Sequence, residues 1–259
     1  MNTLVLMKMV PDTVEELEIA PDGKSLDVEA VRPIVSERDD HALEQALLLK
    51  DMHGGPVTVV ALESRDVDEV LFTALAKGAD RAVKVAAGDA MLTAAETAAL
   101  LAKVLPAVPN LLPAQLIVSG CQAIDDLDGV VAPSLAERLQ LPYLGIVTGV
   151  EVAADGGRAT VYKEYAGGTR GRYVVCLPAV LGVQAAEKPP RYVPVAKVRA
   201  TMKAKTIECV EAPARDEASL LEIAAMTKPQ AAGRAEMLEG SPEEVASKVA
   251  EILSSRGLA

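Results

Sequence analysis

What most constrains this chain is an alternation in its first half, where short, almost unbroken aliphatic runs are separated by longer amphipathic stretches. The runs are Leu4 to Val10, Val57 to Leu62, Ala82 to Val85 and Leu116 to Ser119. A strand covered on both faces reads as a continuous apolar run, and strands alternating with helices build βαβ units around a parallel sheet. The intervening stretches predict helices over Asp39 to Met52, Val67 to Lys77 and Ala90 to Val104, with another at Ser134 to Gln140. In the first of these Ala42, Leu43, Ala46, Leu47 and Lys50 follow helical spacing, and Ser36, three residues before Asp39, predicts a capping-box-like start. Of the 259 residues half are hydrophobic, yet only five Tyr and one Phe are aromatic and Trp is absent. Ala, Val and Leu must therefore fill the interior.

After about Pro142 the period changes to two. Gly149 to Ala153, Ala159 to Tyr165 and Arg172 to Leu177 alternate, with Gly156-Gly157 and Gly167-Gly168 between them, and read as antiparallel hairpins extending the same sheet. From Glu187 to about Gly240 no period is evident, so an extended arm with little core of its own is expected. The C-terminus recovers a helix, with Ser241 as cap, Pro242 at the first helical position, Glu244 closing the box, and Val245, Val249, Ile252 and Leu253 on one face. That stripe has no obvious cover within the chain, which favours another chain as its partner. The expected division is a core over 1–186 and an arm over 187–259.

Charge narrows the function. Lys and Arg number 26 against 37 Asp and Glu, a net charge of −11, and an acidic chain repels both nucleic-acid phosphates and anionic lipid. No apolar run approaches the ~20 residues that a bilayer span needs, and Met1 to Val10 is too short and unflanked for a signal peptide. Neither nucleic acid nor direct membrane insertion is expected, and the expected setting is cytoplasmic. Cys121, Cys176 and Cys209 are far apart and lack metal spacing, which argues against disulfides and structural zinc. His41 and His53, the only histidines, lie in no catalytic motif.

In an open parallel sheet, ligands bind beyond the carboxyl ends of the strands. Three segments lie there: Lys8-Met9-Val10-Pro11-Asp12, Glu63-Ser64-Arg65, and the loop Gly120-Cys121-Gln122-Ala123-Ile124-Asp125-Asp126. The last continues through Asp128-Gly129-Val130-Val131-Ala132-Pro133 into a helix whose free N–H groups can receive an anion. It is neither a GxGxxG nor a Walker loop. Its three aspartates suit helix capping, ribose hydroxyls or a metal, and they oppose phosphate unless a cation intervenes.

These residues together resemble the beta subunits of electron transfer flavoproteins. Leu4 to Asp12 is similar to the family's opening strand and V-K-x-V-P-D turn, and Asp39 with Ala42-Leu43-Glu44 resembles its D-x-x-A-x-E helix. Thr73 to Arg81 resembles T-A-L-A-x-G-A-D-R, and Gly120 to Asp126 resembles G-K-Q-A-I-D-D. Gly167-Gly168, Leu177 to Val180, Glu187, Pro190-Arg191-Tyr192 and Met202 to Lys205 follow in order.

The resemblance implies an α/β fold with a Rossmann-like, mostly parallel sheet of adenine-nucleotide-binding type, an antiparallel extension, and a C-terminal arm ending in a helix. It implies a heterodimer with an alpha subunit that holds most of an FAD. The pair would carry electrons between dehydrogenases, acyl-CoA-type or other, and a respiratory quinone reductase. Side chains would perform no substrate chemistry; the flavin carries the redox step. Val10, Pro11, Asp12 and Thr13 would wall the flavin. An AMP would lie against Leu6, Asp39, Leu62 and the Gly120 to Val131 loop, which comprises Gly120, Cys121, Gln122, Ala123, Ile124, Asp125, Asp126, Asp128, Gly129, Val130 and Val131. Glu187, Arg191, Tyr192, Val195 and Lys203 fall in the region that recognises dehydrogenases.

Where the AMP-binding group reads N-Q-T-G, this chain has Gly129-Val130-Val131-Ala132. The electron-bifurcating branch has A-Q-V-G-P there, which Val131 and Pro133 fit, and it binds a second FAD reducible by NADH. AMP and a second FAD are thus both open, with Arg38 as the compensating charge for a diphosphate. Two readings from other classes are a stand-alone ATP-binding stress-type protein and a scaffold without cofactor.

Overall fold

Thr3–Met7 buries all five of its residues and forms an interior strand of the sheet, β1. The parallel strands β4 (Val57–Leu62) and β6 (Leu116–Gly120) flank it, with Val5 opposite both Val59 and Val118. The computed structural model that gives this arrangement describes residues 1–27, 29, 31–88, 92–213, 223–229, 233 and 235–258. Beyond β4 lies β5 (Arg81–Ala86), and beyond β6 lies β10 (Ala179–Val183), followed by β7 (Tyr143–Val152), all parallel. The sheet then turns antiparallel through β8 (Arg158–Glu164) and β9 (Arg170–Cys176). A last strand, β11 (Glu208–Glu211), joins β5 in parallel at the opposite edge and makes nine.

Side-chain alternation along each strand sorts the core into two faces. Val5, Met7, Val59, Val118 and Leu181 point to one side, against α1 (Glu37–His53) and α2 (Val67–Lys77) through Leu43, Leu47 and Leu71. Leu4, Leu6, Val60, Ile117 and Val180 point to the other, against α3 (Ala94–Ala107) and α4 (Val131–Leu139) through Leu101, Leu105 and Leu135. The largest fully buried side chains are leucines, Ile117 and Gln45, none of them aromatic, as the composition requires.

The α/β class, the parallel core and the antiparallel extension match expectation, and α2 and β4 have the expected bounds. Four details differ. The first strand stops at Met7, because the peptide of Lys8 turns to the start of α1. Its N–H donates to Asp39 Oδ2 at 2.9 Å and its carbonyl accepts from the Ser36 N–H at 2.9 Å. Met9–Pro11 then forms a separate strand, β2, antiparallel to β3 (Pro33–Val35). Ser36 makes no side-chain cap; its carbonyl accepts from the Asp39 and Asp40 N–H groups instead. The expected start of the third helix, Ala90, lies outside the described residues, and the helix follows Thr93 through a capping box with Glu96. The fourth begins at Val131, not Ser134, since Pro133 fits a first turn, where its missing N–H has no partner to lose.

The arm is less irregular than expected. After a strap over 184–194 come α5 (Val195–Ala204), packed on α2, and then β11. Neither carries a readable period: α5 buries no residue, and β11 is a short charged edge strand. The terminal helix, α6 (Pro242–Ser255), has the expected capping box between Ser241 and Glu244 and no buried residue. No helix among the described residues is long and apolar enough to cross a membrane.

Candidate functional site

At the carboxyl end of β1 and β6 the chain concentrates its unusual chemistry. Asp39, in the first turn of α1, is 6% exposed and accepts from two backbone N–H groups, Lys8 at 2.9 Å and Gly120 at 2.6 Å. One carboxylate thereby joins the ends of both strands to the helix start. Burial pushes its pKa up to about 7, against the opposing effect of the Gly120 and Lys8 N–H groups. Gly120 is required at this junction, because a Cβ would lie 2.8 Å from Arg38 Cβ and 2.9 Å from Asp39 Oδ1.

The loop that follows is folded on itself. Ala123 and Asp126 exchange N–H and carbonyl groups at 3.2 and 3.1 Å, and the Gly129 N–H returns to the Asp126 carbonyl at 3.2 Å. Gly129 has φ +63°, and a Cβ there would overlap the Cys121 carbonyl oxygen. Asp126 is half-buried and its pKa is raised, first by burial and then by the neighbouring Asp125 and Asp128, although Lys8 counters this. Lys8 reaches across from β1 to bind Asp125 Oδ1 at 2.8 Å. Gln122 and Ala123 are partly buried, while Ile124, Leu127 and Val130 are exposed. Pro133 has no N–H and the Gly129 N–H is engaged, and the first turn of α4 presents the N–H groups of Val131 and Ala132 as donors. No side chain caps that helix.

Cys121 is buried between Arg38 Nη1, at 3.4 Å from Sγ, and Gln184 Oε1, at 3.1 Å. Arg38 therefore lies beside the loop. Leu6 is buried and Leu62 partly buried on the α3 and α4 side of the sheet, at the carboxyl ends of their strands. Val10 is buried in β2, Asp12 Oδ1 accepts from the Val14 N–H at 3.0 Å, and Thr13 is exposed. Among the described residues no group of three His, Cys, Asp or Glu could hold a metal ion.

The residues expected to recognise a partner divide into two kinds. Tyr192 and Val195 are 83% and 62% exposed, and Lys203 is exposed on α5. Glu187 and Arg191 instead bond within the chain. Glu187 accepts from the Val150 N–H and from Gln45, while Arg191 grips Glu44 and Asp51 of α1. Sequence reasoning missed Lys8 as a site cation, although it stands in the opening motif, and missed Gln184, His41, Glu44 and Gln45. Only a buried polar position within an apolar helical stripe could have flagged Glu44 and Gln45.

Residues 25–217 match the model of the electron transfer flavoprotein domain. The chain is 32% identical to the electron transfer flavoprotein subunit beta of Syntrophomonas wolfei over 97% of its own length and 95% of the relative's. It is 31% identical to that of Bacillus subtilis over 98% of each. It is also 35% identical to Protein FixA of Bradyrhizobium diazoefficiens, over 60% of this chain and 55% of that one. Likeness along the whole chain leaves the stand-alone ATP-binding reading and the scaffold reading without support. The chain belongs to the electron transfer flavoprotein family, and its end-to-end likeness is to the family's beta subunits.

Proposed function

We propose that this chain is the nucleotide-binding and partner-docking half of a two-chain electron carrier. Its partner is an alpha subunit bearing most of an FAD, and the pair passes electrons between acyl-CoA-type or other flavin dehydrogenases and a quinone reductase. The observation that carries the pairing is α6: a fully capped helix whose Val249, Ile252 and Leu253 are 42%, 39% and 39% exposed and which buries no residue. An isolated helix of this length gains most of its stability from packing its apolar face, so that face needs a cover. The unpaired thiols suit a reducing, cytoplasmic setting.

FAD supplies the redox chemistry when bound. The chain's own residues position and screen it: Val10, Pro11, Asp12 and Thr13 form a wall that excludes water, and the Asp39 junction fixes where that wall leaves β1. The Gly120 to Val131 loop fits an adenylate group. The first-turn N–H groups of Val131 and Ala132 suit a phosphate, and Lys8 and Arg38 offset the loop's aspartates. AMP and the adenylate half of a second FAD share this chemistry. Tyr192, Val195 and Lys203 meet the dehydrogenase. The stretch 188–205 holds Lys188, Arg191, Lys197, Arg199, Lys203 and Lys205 and no acid, so it suits an acidic partner surface.

Coexpression with the alpha chain, an absorbance spectrum and extraction of the bound nucleotides test this reading. A yellow heterodimer yielding one FAD and one AMP, or two FAD, supports it, and the ratio identifies the second ligand. A colourless chain that never joins an alpha subunit defeats it.

A further inference from the structure

The strap between β10 and α5 is tied first to β7 and then, at successive positions, to one face of α1. Gln184 donates its N–H to the Val147 carbonyl at 2.8 Å, and the Ala186 N–H reaches His41 Nδ1 at 3.2 Å. Glu187 and the fully buried Gln45 exchange hydrogen bonds at 3.3 Å in both directions. The strap ends on Arg191. Its backbone N–H donates to Glu44 Oε2 at 2.9 Å, its Nε lies 3.1 and 3.0 Å from Glu44 Oε1 and Oε2, and its Nη2 binds Glu44 Oε1 and Asp51 Oδ2 at 3.0 Å each. The Glu44 side chain is 4% exposed. Such a carboxylate needs a partner, and a planar guanidinium with several fixed donors meets that need as an ammonium does not. The next residue, Tyr192, is 83% exposed, and α5 begins three residues later at the exposed Val195.

We propose that Arg191 is a positioning residue for partner docking: it locks the strap to α1 through Glu44 and so fixes Tyr192 and the start of α5 where a dehydrogenase meets them. The guanidinium itself touches no partner. This rests on the reading of 188–205 as the docking stretch. Neither α5 nor Tyr192 is buried, so little besides this fork and the contact of α5 with α2 fixes their orientation. A pre-ordered docking segment binds more tightly because less freedom is lost on association.

The test uses the heterodimer with its alpha subunit and compares wild type with Arg191→Gln, Arg191→Lys, Tyr192→Ala and the pair Glu44→Gln with Arg191→Gln. Hydrogen exchange is followed across 188–205, together with thermal stability and reduction by an acyl-CoA dehydrogenase charged with its acyl-CoA. Arg191→Gln is expected to speed exchange in the strap and raise the KM for the dehydrogenase about tenfold at similar kcat, with reduction by dithionite unaltered. Arg191→Lys recovers only part of this. Tyr192→Ala raises KM without altering exchange. The paired variant removes the uncompensated buried charge and regains thermal stability, yet KM stays raised, because the fork is still missing. Wild-type exchange in Arg191→Gln, or a KM that recovers together with stability in the pair, overturns the proposal. If the dehydrogenase fails to reduce even the wild type, the docking reading itself falls, while the exchange result still decides whether Arg191 holds the strap.

Discussion

Asp39 carries a charge that its surroundings oppose. Its burial is nearly complete, and two N–H donors do not compensate for the lost water, so its pKa rises to about 7. Between the ordinary carboxylate range and about pH 7 the folded chain holds a proton that the unfolded chain releases, so stability contributed in acid is lost as pH rises through that window. The full effect is on the order of 4 kcal/mol. Asp39→Asn cannot ionise, and urea unfolding from pH 4.5 to 8 is expected to show a flatter decline for it than for wild type; equal slopes would remove Asp39 as the source. Gly129 poses a steric constraint. With φ +63° and no room for a Cβ beside the Cys121 carbonyl, Gly129→Ala is expected to cost about 1–3 kcal/mol. It should also weaken nucleotide retention, read as the ligand-to-protein ratio after dialysis. Gly23, with a similar φ of +66° but open space around it, gives the contrast: Gly23→Ala should leave the ratio unchanged.

The elements differ in how openly the sequence announces them. Strands covered on both faces, such as Val57–Leu62, and helices with an apolar stripe, such as Val67–Lys77, state their burial in their composition. β10 is as apolar as these but follows a hairpin instead of a helix, and α5 buries nothing, so periodicity had no purchase on either. The loop Gly120 to Val131 stood out as a candidate site because a glycine, three aspartates and a helix start coincide. The Lys8–Asp125 ion pair, at a separation of 117 residues, was not, because only the fold brings its partners together. α6 was legible in full, and its exposed stripe makes a clean experiment. Ile252→Asp removes no buried contact within this chain, so the chain's own unfolding free energy should change by less than about 0.5 kcal/mol. Association with the alpha subunit, measured by titration calorimetry, should weaken at least tenfold, about 1.4 kcal/mol. Unchanged association would leave the stripe without its proposed cover.

For the molecule as a whole, the question is where the core ends and the arm begins, and the sheet order gives a physical criterion. β10 lies between β6 and β7, pairs with both, and buries all five of its residues, although it comes from residues 179–183. Without it no strand pairing joins the antiparallel extension to the parallel half, and Ile117 and Val118 of β6 lose their partners on one side. β11, by contrast, caps one edge, and its loss uncovers only β5. A chain cut after Ala186 keeps eight of the nine strands. It should unfold cooperatively in urea, less stable than the full chain because most of the strap, with the bonds of Glu187 and Arg191 to α1, is gone. A cut after Leu177 leaves a gap inside the sheet, and five unfilled positions at the junction of two core clusters remove several kcal/mol of burial, at ~1.5–3 kcal/mol per large aliphatic side chain. That exceeds much of the ~5–15 kcal/mol by which such domains are stable, so this fragment should show no cooperative transition by circular dichroism. If the shorter fragment folds as well as the longer one, β10 is not the keystone of the sheet. If the longer one fails, the arm belongs to the core, and the boundary proposed at residue 186 lies in the wrong place.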